Sequence, residues 1–122
     1  MLSTYIVASV LAAMCHELGH LCCARVLGIK VKRAGIGWRG PYIVREPGTD
    51  IENLAITLAG PLANLLLAAS LTLYVLAVGG NAVCFALINL ALGLFNLLPV
   101  PSSDGARILH LLLAGRKTTA AA

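Results

Sequence analysis

Charge is what this sequence has least of. Only 11% of its 122 residues are Asp, Glu, Lys or Arg, where soluble domains carry about a quarter. Aromatics are as sparse, at 5%, so the net charge of +4 comes without the aromatic-rich basic groove that would suggest nucleic-acid binding. There is no CxxC pair, and Cys15, Cys22, Cys23 and Cys84 all fall in apolar stretches. That excludes an extracellular disulfide framework and fits free thiols behaving as small hydrophobes. Internal repeats are absent, and the length leaves no room for a second unit, so residues 1–122 are read as one domain. The apolar N-terminus lacks the basic region of a signal peptide and runs into a motif that cleavage would discard, so it is read as retained.

What is present is apolar sequence: 59% hydrophobic residues and a mean hydropathy of +0.90. It comes in three long runs, each able to form a helix that crosses or nearly crosses a hydrocarbon core of ~30 Å. The expected fold is an all-α membrane protein with transmembrane helices at about 2–28, 52–78 and 81–98. Residues 29–48 are too polar to span, are rich in β-formers and contain the turn signal Gly40-Pro41; a β-hairpin or an irregular surface loop fits there. Gly79-Gly80 makes a tight connection between the second and third runs. A short C-terminal helix is expected over 102–115, with Ser102 or Ser103 near its start and Gly115 near its end, followed by a frayed tail.

The basic residues are placed unevenly. Arg25, Lys30, Lys32, Arg33, Arg39 and Arg45 crowd one segment, and Arg107, Arg116 and Lys117 another. With three spans both segments fall on one side, which the positive-inside rule makes cytoplasmic.

The chemistry begins at His16-Glu17-Leu18-Gly19-His20, an HExxH motif. Histidines at i and i+4 share a helix face and reach one zinc ion, with Glu17 beside them to take a proton from water. Three ionisable groups in one turn of a membrane helix cost several kcal/mol unless something such as a bound metal compensates them. Cys23 is no third ligand, because it lies ~10 Å along the helix from His16. Catalytic zinc needs a third protein ligand. Glu46, Asp50 and Glu52 read as solvated charges. Asp104 follows a stretch in which Pro99 and Pro101 break the third helix, where irregular backbone is tolerated only if it lines a cavity or packs on protein; it fits either a cavity role or a helix N-cap.

Taken in order, HExxH in the first run, Gly60-Pro61-Leu62-Ala63-Asn64 in the second, and Asn96-Leu97-Leu98-Pro99 leading to Asp104-Gly105 resemble the site-2 protease family of intramembrane zinc metalloproteases. The resemblance implies one Zn2+ per chain held by His16, His20 and Asp104, with Glu17 as catalytic base. It further implies a catalytic role for Asn64, near the zinc, in holding substrate or the oxyanion; an interhelical hydrogen bond is the plainer reading. Asn89 reads as structural and Asn96 is left open. Ser103 stands where the family has a bulky residue or proline, which bears on the loop before Asp104. Gating by PDZ or CBS domains is not expected from these residues. The implied partners are a membrane-anchored protein substrate and the bilayer, with no nucleic acid; oligomeric state is not set. The competing function is a non-catalytic zinc-binding membrane scaffold. Haem ligation fails, because histidines one turn apart cannot take opposite faces of one iron.

Overall fold

The computed structural model describes residues 1–120, with side chains through Gly115. Its described elements are α1 (Leu2–Val26), β1 (Val31–Gly37), β2 (Gly40–Arg45), α2 (Asp50–Val78), α3 (Val83–Leu97) and α4 (Asp104–Ala120). The fold is mostly helical, and α1 and α2 are long and apolar enough to cross a membrane. At 25 and 29 residues they measure about 37 and 43 Å.

These helices bury small and polar residues and expose large apolar ones. The inward stripe of α1 is Ala8, Ala12, His16 and Ala24, spaced by one or two turns, while Leu2, Ile6, Val10 and Leu18 face out. Buried on α2 are Ile56, Thr57, Gly60, Pro61, Asn64 and Ala68. Small residues let backbones approach, as in membrane bundles. At Gly19 an added Cβ would meet Ala63 at 2.9 Å, and α1 and α2 touch there. Gly93 of α3 likewise packs on Leu65, where a Cβ would stand 2.9 Å away.

Residues 31–45 fold as an antiparallel hairpin, with Gly37 opposite Gly40. The turn is therefore Trp38-Arg39, and Gly40 with Pro41 opens the second strand instead of making the turn. The hairpin is tied to the start of α2 through Arg45, whose Nη1 donates to Asn53 Oδ1 at 2.9 Å. Glu52 is more than a solvated charge. It accepts from the Thr49 backbone N–H at 2.8 Å while Thr49 Oγ1 accepts from the Glu52 N–H, a capping box that starts α2 at Asp50.

The third apolar run yields a helix of only 15 residues, about 22 Å long. The chain then turns sharply before α4. Pro101 and Ser102 occupy the middle of a turn closed by Ser103 N–H to Val100 carbonyl at 3.0 Å, and Ser102 sits at φ 70°, the arrangement of a type II turn. Gly115 does not end the last helix, which runs to Ala120; of the expected frayed tail, residues 121–122 lie outside the described part.

Candidate metal centre and catalytic cavity

Four helices bring the chemistry together at one point. His16 and His20 come from one face of α1, and Asp104 from the first turn of α4. His16 Nε2 stands 2.8 Å and His20 Nε2 3.2 Å from Asp104 Oδ2, with 3.2 Å between the two nitrogens. His16 and Asp104 are each 6% exposed. Among the described residues this is the one group of His, Cys, Asp or Glu able to hold a metal.

The other ring nitrogens are already committed. His16 Nδ1 donates to Asn64 Oδ1 at 2.7 Å, and His20 Nδ1 donates to the Ile56 carbonyl at 2.7 Å. Each neutral imidazole then turns a bare Nε2 lone pair toward the carboxylate. Two lone pairs and a carboxylate oxygen so close repel one another unless a proton or cation lies among them. A tetrahedral ion with bonds of ~2.0–2.1 Å holds its ligand atoms ~3.3 Å apart, close to the spacing seen. The donor set fits such an ion.

Gly60 makes the space. A Cβ there would collide with His20 Nε2 and Cε1 and lie 2.9 Å from His16 Nε2, so only glycine leaves the front of both nitrogens open. Asp104 is delivered by its neighbours. Ser103 Oγ donates to the Leu98 carbonyl at 2.6 Å and accepts from the Ala106 N–H at 3.1 Å. Ser103 is therefore the N-cap of α4, which frees Asp104 from capping. Gly105 lies against the Leu97 and Leu98 carbonyls, where a Cβ would overlap them. Burial opposes ionisation of Asp104, but where a proton lies among these groups the contacts with His16 and His20 override burial and hold the carboxyl well below the usual carboxylate range. An ionised carboxylate is what a metal requires.

Asn64 makes the interhelical hydrogen bonds that its plainer reading expected. It is 0% exposed, and its amide is spent: Nδ2 donates to the Ala12 carbonyl and to Asn89 Oδ1, each at 2.9 Å. No N–H remains for an oxyanion. Asn64 instead orients His16 and stitches α1, α2 and α3 together, with Asn89 as its relay. Asn96 borders the cavity and donates to the Leu92 carbonyl at 2.9 Å.

The centre opens on a cavity of about 330 Å³ whose walls include Glu17, Thr57, Asn96 and Tyr42. Three arginines, Arg39, Arg45 and Arg107, also line it. Sequence reading treated them only as markers of membrane side. The signal was present in Arg107, which falls one turn after Asp104. The Ile56 carbonyl that anchors His20 had no signal, because any residue supplies one.

A buried two-histidine, one-carboxylate centre with a glutamate-lined cavity, among helices long enough to span a membrane, defines a metallohydrolase-like class. Comparisons with known proteins sharpen it. Residues 80–122 match Peptidase family M50. The Synechocystis sp. protein sll0528 is 38% identical over 114 residues, covering 87% of this chain and 29% of that protein. Zinc metalloprotease MJ0392 of Methanocaldococcus jannaschii is 30% identical over 105 residues, covering 81% and 31%. The solved site-2 protease from Methanocaldococcus jannaschii shares the fold at a TM-score of 0.74 and 28% identity, over 89% of this chain and 53% of that one. The chain thus spans under a third of the curated relatives' length. In sequence and fold alike, it resembles the site-2 proteases of Peptidase family M50.

Proposed function

We propose that the chain is the catalytic core of an intramembrane zinc metalloprotease, which hydrolyses peptide bonds of membrane-anchored proteins in or near their transmembrane segment. The convergence of His16 Nε2, His20 Nε2 and Asp104 Oδ2 carries this reading. One Zn2+ held there supplies Lewis acidity toward water and the scissile carbonyl.

The chain's own residues do the rest. Asn64 and the Ile56 carbonyl fix both imidazoles by their Nδ1–H, so Nε2 is presented without a search of rotamers. Glu17 borders the cavity one residue from His16; it takes the proton from the attacking water and returns it to the leaving amine. Two roles proposed for the hairpin follow from its place over the cavity, which Pro41, Tyr42 and Ile43 border. It screens the centre from lipid, and its free edge pairs with an unwound substrate segment.

Three crossings, α1, α2 and α3, make the chain multi-pass, α3 being short because the chain turns through Pro99 and Pro101 into α4. The hairpin and α4 border the same cavity, so the two basic segments share an end of the bundle, assigned to the cytoplasm. The deciding experiment is Glu17→Gln. One zinc per chain should persist while cleavage of a membrane-anchored reporter is lost; full cleavage by this variant would refute the reading.

A further inference from the structure

Among the described residues, no arginine of the cavity forms an ion pair with a carboxylate. Among the described residues the ion pairs are those between Asp104 and the two histidines. Arg45 spends its hydrogen bonds on neutral acceptors, the Glu46 carbonyl at 3.1 Å and Asn53 Oδ1 at 2.9 Å. Among the described residues, the Arg107 guanidinium makes no hydrogen bond or ion pair. Both side chains also line a second cavity of about 380 Å³, bordered by Asn53, Ser103 and His110, so they are shared by two neighbouring spaces. Arg45 is half-buried, and burial together with the like charge of Arg107 lowers its pKa. An anion between the two would relieve both costs.

We propose that Arg45 and Arg107 form an anion subsite, which selects a substrate peptide by an aspartate or glutamate side chain close to the bond that is cut. The proposal rests on the protease reading. The cavity that holds the pair also contains Glu17 and Asp104, so an anion seated there belongs to the same ligand that meets the metal centre. With a divalent ion bound, three guanidiniums and the ion outweigh those two carboxylates, and the cavity is net cationic. Arg45 is pre-positioned by Asn53, which is itself fastened to Gly48 through two further hydrogen bonds of 3.1 and 2.8 Å. A guanidinium fixed in advance loses little freedom when it grips a carboxylate.

The test places the chain in nanodiscs of neutral lipid with a set of labelled transmembrane peptides. Within the set, Asp or Asn is scanned through the residues flanking one end of the span. Dissociation constants are read with zinc-loaded Glu17→Gln protein, and cleavage by the unaltered chain is read separately. At one or two adjacent positions Asp should bind about tenfold more tightly than Asn. That ratio should collapse in Arg107→Gln, recover in Arg107→Lys and survive Lys32→Gln, which removes a charge from the other strand. Equal binding of Asp and Asn at every position would overturn the subsite. So would enrichment of phosphatidylglycerol around the protein that depends on Arg107 without any peptide preference, since the anion would then be lipid phosphate. A charge preference in binding with no peptide cut would sink the protease and leave the subsite standing.

Discussion

Replacing Gly60 by alanine should abolish tight zinc binding while leaving the helix that carries it intact. In an ordinary helix interior this change is favourable, by about 0.5–1 kcal/mol. Here the new methyl would overlap His20 Nε2 and Cε1 and stand 2.9 Å from His16 Nε2, in the space a metal would occupy. The rings have few escapes. His20 must give up its bond to the Ile56 carbonyl, at about 1 kcal/mol, and in moving it withdraws one of three ligands. Disturbing only the support of a ligand costs about 10–100-fold in affinity, so displacing the ligand itself should cost at least 100-fold. The assay is zinc content of purified protein, with affinity from chelator competition and thermal unfolding with and without zinc. Alanine should leave the metal-free midpoint unchanged or slightly raised and erase the zinc-dependent rise. Unchanged zinc affinity would refute the geometry.

Three other outcomes follow from the same contacts. Asn64→Ala strips a hydrogen bond from each of His16, the Ala12 carbonyl and Asn89; at the ~0.6 kcal/mol typical of such bonds in membranes it should cost about 2 kcal/mol, and about 10–100-fold in zinc affinity. Denaturation and chelator competition would measure both, and a loss of peptide turnover with zinc affinity untouched would restore an oxyanion role. Ser102→Gly removes a side chain from φ 70° and should stabilise the chain by about 1 kcal/mol with zinc stoichiometry kept. Zinc should be released as pH falls, because both histidines must be neutral to bind; a metal titration against pH would reveal it.

The helical half of the centre was legible because it is local. His16 and His20 are four residues apart, and helix geometry alone puts them on one face. Asp104 is 88 residues from His16, and only the resemblance of its surroundings joined the two. The membrane character followed from long uncharged runs, whereas the length of α3 did not, since hydropathy cannot show where a helix yields to extended chain. Ser103 looked like a departure and proved to be the cap that leaves Asp104 free. The motif of Asn64 places it near the metal without saying which of its atoms are already bonded. The basic residues were read through their count on one side of the membrane, which hides that Arg45 and Arg107 border the cavity. Gly115 read as a stop signal, whereas the helix continues through it to Ala120.

Zinc X-ray absorption on the purified, zinc-loaded chain tests the central claim most directly. The account predicts a four-coordinate ion with two imidazoles and oxygen donors at about 2.0–2.1 Å and no sulfur, and a spectrum that changes in Asp104→Asn. A sulfur ligand from any of the four cysteines, or a spectrum indifferent to Asp104, would contradict it.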